Sequence, residues 1–79
     1  MRLRKKIRRM GRHVVRLTQR ERQVLQGLAM PGKTSAQVAA GLGIRPETLR
    51  THLKNAMRKL NVRTSRHAVI EAMRRGLIH

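Results

Sequence analysis

The chain lacks the side chains on which several common kinds of functional site depend. Its 79 residues include no phenylalanine, tyrosine, tryptophan, cysteine or aspartate, and the only acids are Glu21, Glu47 and Glu71. Without aromatic rings it cannot stack unpaired bases as most readers of single strands and RNA loops do. Without cysteine it has no disulfide framework and no thiolate metal site, which fits a reducing cytosol. Three scattered glutamates leave almost no acid–base chemistry to assemble, so we expect no enzyme and no catalytic residue.

Long apolar runs are missing as well. No segment approaches the roughly 18–20 apolar residues that span a bilayer. No continuous apolar stretch follows the basic N-terminus, so we expect no secretory signal. An organelle transit peptide remains an alternative for this arginine-rich, acid-free segment, although it is poor in serine. A length of 79 residues allows one small domain with a modest core.

What the chain has in abundance is positive charge. Twenty lysines and arginines stand against three acids, which gives a formal net charge of +17. Self-repulsion at this density opposes folding, so the charge indicates a polyanionic partner. Nucleic acid is the first candidate and an anionic membrane surface the second. The lack of aromatic rings favours double-stranded DNA over single strands or RNA loops.

The positive charge is concentrated at the N-terminus. Residues 1–16 hold eight of the basic residues and no acid, and we expect them to form a basic arm before a folded domain over residues 17–79. Apolar residues follow amphipathic helical spacing at Leu3, Ile7, Met10, Val14 and Leu17. Three interpretations stay open: a disordered arm, a helix that forms on DNA or against the domain, and a membrane-surface helix.

Local signals predict four helices in the domain, at about 19–29, 35–42, 46–60 and 65–76. Capping-box patterns open the first two, at Thr18–Glu21 and Thr34–Gln37. Gly43 stands where a left-handed residue would end the second helix, and Pro46 can begin the third because its missing N–H is not needed there. A short helix, a glycine turn and a longer cationic helix make a helix-turn-helix. We therefore expect an all-α, four-helix domain.

The predicted helix at 46–60 has two different faces. An apolar stripe at helical spacing comprises Leu49, Leu53, Ala56, Met57 and Leu60. The opposite face carries Glu47, Arg50, Thr51, Lys54, Asn55 and Arg58. An anchored helix with outward cations is suited to the major groove of DNA. An ordinary solvated surface is the alternative.

An ordered set of motifs extends over residues 17–78. It comprises LTQRERQVL at 17–25, GKTSAQVA at 32–39, LGI at 42–44, TLRTHLKN at 48–55 and KLNV at 59–62, followed by Arg66 and Ala68. In this order they closely resemble the LuxR-type (FixJ/NarL-like) helix-turn-helix domain of bacterial transcription regulators. Arg45 departs from the family's usual serine cap, and Met30–Pro31 adds a residue to a turn. The chain also shows no sensor domain, so it looks like a stand-alone member or a fragment.

The resemblance implies that the third helix is the recognition helix, with Arg50, Thr51 and Lys54 contacting bases. Their outward spacing supports the same assignment, since arginine can donate two hydrogen bonds to a guanine and threonine can contact a thymine methyl group. Phosphate contacts are expected from Lys33, Thr34, Ser35, Arg45, Thr48 and Arg58. The fourth helix is the family's dimerisation element, and its candidate residues are Ala68, Val69, Ala72 and Met73. Some of these must instead cover the domain's own core.

Two further side chains on the recognition helix have open roles. Glu47 could accept a hydrogen bond from a cytosine amino group, or it could only stabilise the helix N-terminus. His52 could pack within the fold or reach a phosphate. The other histidines, His13, His67 and His79, share no ligand spacing with it, so we expect no metal and no cofactor.

The sequence thus predicts a sequence-specific DNA-binding regulator of transcription that acts on double-stranded DNA as a homodimer in the bacterial cytoplasm, at the nucleoid. RNA polymerase is a candidate further partner, and a membrane is not expected. Two other functions stay open. One is a nucleoid-type architectural protein with little sequence choice, and the other is a sigma-factor-like promoter module that contacts RNA polymerase.

Overall fold

The structure, a computed structural model, describes residues 15–79 of the chain, and this part contains four α-helices and no strand. The helices are α1 (Gln19–Ala29), α2 (Ser35–Leu42), α3 (Pro46–Leu60) and α4 (Ser65–Arg74). This confirms the predicted all-α, four-helix class and the bounds of the first three helices. Of the apolar residues spaced along the arm, those up to Val14 lie outside the described part, whereas Leu17 is buried and precedes α1 without being helical.

The helix starts follow the capping chemistry of the sequence. The Thr18 hydroxyl accepts from the Glu21 amide at 3.1 Å, and Glu21 accepts from the Thr18 amide at 2.9 Å. Thr34 and Gln37 exchange the same two bonds at the start of α2. Both predicted capping boxes are therefore confirmed.

Three helices end in the same way, with one left-handed residue that reverses the chain. Gly43, Asn61 and Gly76 have φ values of 71°, 59° and 73°. In each case the next amide bonds the carbonyl five residues back, as Leu77 does to Ala72 at 2.8 Å, which is a Schellman motif. Because the chain reverses at Gly76, Arg75 is already the C-cap and the last helical residue is Arg74. The predicted end of α4 at residue 76 was therefore wrong by two residues.

Helices α1 and α3 form the centre of the fold. Each contacts all of the other helices, whereas α2 and α4 do not contact each other within the described part. One group of buried residues joins α1, α3 and α4, and a second joins α1, α2 and α3, with Leu53 packed against both. Val15 is buried in the first group, so the packed core includes a residue two positions before Leu17, the expected start of the domain. The central position of α3 fixes one of its faces inward and leaves the other outward.

The approach of α1 to α2 depends on a glycine. A Cβ atom built on Gly27 would lie 2.6 Å from Cγ1 of Val38, which is buried. Real carbon atoms do not approach so closely, and the β-branched Val38 has little rotamer freedom to move away. Gly27 therefore sets the distance between the first two helices, and with it the placement of α2 beside α3.

We expect Gly27→Ala to lower the free energy of unfolding by about 1–2 kcal/mol. Overpacking typically costs about 1–3 kcal/mol, which at this short distance exceeds the gain in helix propensity of about 1 kcal/mol. Gly41→Ala in α2 is the matched control, because nothing lies within 4 Å of its Cβ position. It should raise stability by about 0.4–1 kcal/mol in the same urea titration. Equal effects of the two substitutions would contradict this role of Gly27.

Candidate nucleic-acid interface

The inner face of α3 holds the helix firmly against the rest of the domain. Leu49, Ala56 and Leu60 are buried, and Leu53 and Met57 are partly buried between the neighbouring helices. These are the five residues of the predicted apolar stripe. Because this face is fixed by packing, the direction of the opposite face is fixed as well.

The outer face of α3 carries the three predicted base-contacting residues, Arg50, Thr51 and Lys54, and all three are exposed. They lie within one turn of each other along the helix. Arg58 is exposed one turn further on, whereas His52 and Asn55 are half-buried at the edges of this face. The structure therefore brings the three candidate base contacts together on one exposed surface.

The cations on this face have no ion-pair partner among residues 15–79. Glu21 pairs with Lys59 at 2.8 Å, and Glu71 pairs with Arg74 and Arg75. These are the only ion pairs in the described part of the chain, so Arg50 and Lys54 keep their charge for an outside partner. A surface of unpaired cations attracts a polyanion.

The carboxylate of Glu71, on α4, is neutralised by two neighbouring arginines. Hydrogen bonds from Arg74, and then from Arg75 at 2.7 Å, lower the pKa of Glu71 to about 2. Its carboxylate is therefore ionised at neutral pH and already shared between two guanidinium groups. It makes no ion pair with the cations of α3.

Thr51 presents a different chemistry from its cationic neighbours. Its hydroxyl donates to the carbonyl of Glu47 at 3.1 Å, one turn back in the same helix. The hydroxyl proton is thus occupied, and the groups left for a groove are the methyl and the oxygen lone pairs. This suits contact with a thymine methyl or with an amino donor.

The start of α2 lies beside the outer face of α3. Ser35 and Arg50 line one small cavity of about 110 Å³ together with Pro46, Leu49 and Leu53. One predicted phosphate contact is therefore next to one predicted base contact. The structure arranges them as a helix N-terminus that could hold backbone phosphate while the neighbouring helix enters a groove.

The other predicted phosphate contacts lie near the same surface but differ in their available donors. Thr34 has its amide occupied by Gln37, so only its hydroxyl proton remains to donate. Lys33, Arg45 and Thr48 are exposed. Arg45 is the N-cap of α3 and its side chain makes no cap hydrogen bond, as its sequence predicts. The Arg45 guanidinium is therefore not committed to its own helix start.

One polar link behind the interface was not predicted. The Lys59 ammonium donates to Glu21 Oε1 at 2.8 Å and to the carbonyl of Arg16 at 3.1 Å, which joins the end of α3 to α1 and to the chain just before it. Burial alone would raise the pKa of Glu21. Hydrogen bonds from Lys59 and Thr18 outweigh this and hold the pKa below its usual value. Because 38 residues separate the two partners, no local pattern reveals the pair.

Some apolar residues of α4 are buried in the core, whereas others lie at the surface. Ala68 and Ala72 are completely buried in the chain's own core, so they offer no surface to a second copy. Of the predicted dimer residues, Val69 is half-buried and Met73 is 49% exposed. Ile70, which is not among the predicted dimer residues, is 53% exposed. Val69 and Ile70 also line a groove of about 330 Å³ between α4 and the end of α1.

Residues 15–79 contain neither a candidate metal site nor a membrane-spanning helix. No group of three or more histidine, cysteine, aspartate or glutamate side chains is arranged to hold a metal ion there. Within the same residues, no helix is both long enough and apolar enough to cross a membrane.

A short helix, a turn through Gly43 and a longer helix with an exposed cationic face, all supported by α1, define a helix-turn-helix domain of the DNA-binding class. The chain belongs to a particular family of this class: residues 15–72 match the family model for bacterial regulatory proteins of the luxR family. This confirms the resemblance drawn from the ordered motifs.

Individual relatives support the same assignment. The chain is 43% identical over 60 residues to the spore germination protein GerE of Bacillus subtilis, covering 76% of this chain and 80% of GerE. It is 44% identical over 62 residues to the transcriptional activator protein AnoR of Acinetobacter nosocomialis, covering 78% of this chain. It is also 44% identical over 54 residues to the nitrate/nitrite response regulator protein NarP of Escherichia coli, covering 68% of this chain. The match spans only 26% of AnoR and 25% of NarP.

Proposed function

We propose that this chain regulates transcription in bacteria by binding specific sequences of double-stranded DNA, with α3 in the major groove. The observation that carries the proposal is the outer face of α3, where Arg50, Thr51 and Lys54 are exposed together and have no ion-pair partner among residues 15–79. Membership of a family of bacterial regulatory proteins supports it. The names of AnoR and NarP, an activator and a response regulator, point in the same direction.

In this proposal the base contacts divide by chemistry. The Arg50 guanidinium donates two hydrogen bonds, to O6 and N7 of a guanine. Lys54, one helical turn further on, donates to an acceptor on another base. Thr51 lies between them and contacts a thymine through its methyl group. These three residues determine the choice of sequence.

Phosphate contacts hold the domain in register on the duplex. We assign them to the start of α2, through Lys33, Thr34 and Ser35, and to α3, through Arg45, Thr48 and Arg58. These contacts carry no sequence information, but they contribute much of the affinity and make it depend on salt. The basic residues of 1–16 add to the same electrostatic attraction.

We further propose that two copies bind together as a homodimer through α4. The apolar surface on Val69, Ile70 and Met73 supports this contact. A two-fold dimer would place its two α3 helices in major grooves about one helical turn apart. The bacterial cytoplasm, at the nucleoid, is the compartment consistent with this role, and RNA polymerase is a candidate partner once the dimer is on DNA.

A nucleoid-type architectural role is the second candidate, and the net charge of +17 favours it. Such a protein would coat duplexes by phosphate contact with little choice of sequence. The sigma-factor-like alternative receives no comparable support, since the matched family model describes regulatory proteins.

Selection of bound duplexes from a random pool tests the proposal directly. We expect one enriched motif that is two-fold symmetric, with half-sites about one helical turn apart and two protomers per duplex. A symmetric motif would support both the specificity and the dimer. A single half-site would contradict the dimer alone, and no enrichment would favour the architectural alternative.

A further inference from the structure

Glu47 is an acid on a surface otherwise built from cations. It lies in the first turn of α3 and is exposed. It precedes Arg50 by three residues and Thr51 by four, so all three side chains share one face of the helix. The carboxylate thus stands beside two of the proposed base contacts.

The other two acids of the chain are committed elsewhere. Glu21 is buried against Lys59, and Glu71 binds two arginines on α4. Glu47 makes no ion pair with any of residues 15–79, although Arg50 is within reach of a helical pair. Of the three acids, it alone has a charge that residues 15–79 leave unpaired, and it lies on the surface proposed to face DNA.

An uncompensated carboxylate weakens binding to phosphate. Charges separated by less than the Debye length, about 10 Å at 0.1 M salt, are only partly screened. Stabilisation of the helix N-terminus could explain an acid in a first turn. Helices α2 and α4 have no acid in the first turn, but the side chains of Thr34 and Thr64 cap them, whereas Arg45 makes no such bond at the start of α3. Glu47 can therefore stabilise the start of α3 and still present its exposed carboxylate to the groove.

A carboxylate has a favourable partner in the major groove. It accepts a hydrogen bond from the amino group of cytosine, whereas guanine presents acceptors that repel it. Since Glu47 and Arg50 are nearly one turn apart on the same face, they can read neighbouring bases with opposite chemistry. One side chain accepts hydrogen bonds and the other donates them.

We propose that Glu47 is a specificity-determining residue, which selects cytosine at the position next to the base read by Arg50. It acts in two ways: it accepts from the cytosine amino group, and it disfavours duplexes that present guanine or a misplaced phosphate at that point. The inference rests on the proposed function, because it requires α3 to lie in the major groove. It adds an acceptor to the reading surface of Arg50, Thr51 and Lys54.

Parallel selections from random duplexes test this role with three variants of the full chain. Glu47→Gln should move the preference at one position from cytosine towards adenine, the base that glutamine reads in the major groove. Glu47→Ala should remove the preference there, and the cytosine-to-guanine affinity ratio should fall about 5- to 150-fold. Both variants should keep the preferences set by Arg50 and Lys54.

Glu71→Gln is the matched control, because it removes one negative charge from α4 instead of α3. It should bind all duplexes more tightly, to a small and uniform degree, and should leave the selected motif unchanged. If the Glu47 variants also keep the wild-type motif and gain affinity uniformly, Glu47 acts only through its charge and the inference fails while the proposed function stands. If the wild-type chain selects no motif, both fail together.

Discussion

Replacing Arg50 by alanine should weaken binding to the selected duplex by about 1–3 kcal/mol, a loss of about 5- to 150-fold in affinity. The Arg50 side chain is exposed and has no ion-pair partner among residues 15–79. No ion pair within these residues therefore has to break before Arg50 contacts a base. Its removal should also relax the preference for guanine at one position. We expect Lys54→Ala to act similarly one turn along, at a different position of the motif. Fluorescence anisotropy on the selected duplex and its single-base variants measures both effects.

Arg22→Ala provides the control for loss of charge alone. Arg22 is exposed on α1. It lines a cavity with Leu17, Gly76 and Leu77 that contains no residue of α3. Its removal should weaken binding slightly and equally on all duplexes. If Arg50→Ala also weakened all duplexes equally, Arg50 would be a phosphate contact and not a base contact.

Replacing Lys59 by methionine should lower the free energy of unfolding by about 1–3 kcal/mol. Removing one partner of a buried ion pair commonly costs about 3–5 kcal/mol. The Lys59 side chain is 38% exposed whereas that of Glu21 is 4% exposed, so water already screens part of the interaction and the expected loss is smaller. Lys54→Met on the same helix is the matched control. Its side chain is exposed, and stability should stay within about 0.5 kcal/mol of the wild-type value.

The effect of Lys59→Met should depend on pH with a definite sign. In the wild-type fold the pKa of Glu21 is lowered, so its ionised form stabilises the fold at neutral pH. That contribution is lost as the pH falls through the folded-state pKa. Without Lys59 the carboxylate remains buried with only its bonds to Thr18, and its pKa rises. The difference between variant and wild type should therefore be largest at neutral pH and should shrink in acid.

A double-mutant cycle with Glu21→Gln separates the pair from its surroundings. If the two groups stabilise each other, Lys59→Met should cost less in the Glu21→Gln background than in the wild-type chain. Urea denaturation at neutral and acid pH gives all four free energies. Additive losses that do not change with pH would contradict a functional ion pair at this position.

The helices were predictable because their signals are local. Thr18 and Glu21 lie within one turn, as do Thr34 and Gln37, so each capping box is visible in four residues. Gly43 marks the turn before α3 because it adopts a left-handed conformation that most other residue types avoid. The outward placement of Arg50, Thr51 and Lys54 followed from the period of a single helix. What they contact on DNA remains a prediction.

The features that the sequence did not predict depend on residues that are distant in the chain. Glu21 and Lys59 are 38 residues apart, and each alone is typical of a surface helix. Which apolar residues of α4 are buried depends on the side of the helix that faces α1 and α3. The small residues Ala68 and Ala72 lie on that side, whereas the larger Ile70 lies outside. The exclusion of a side chain at position 27 likewise depends on Val38, which lies in another helix. A helical period shows that a face exists, but not which neighbour covers it.

The most direct test of the central claim is the ratio of two dissociation constants at physiological salt, one for the selected duplex and one for random duplex of equal length. We expect a ratio of at least about 1,000 in favour of the selected duplex. Arg50→Ala should reduce this ratio and leave the constant for random duplex nearly unchanged. A wild-type ratio near one would contradict the claim that α3 chooses the site, and would assign the binding to charge alone.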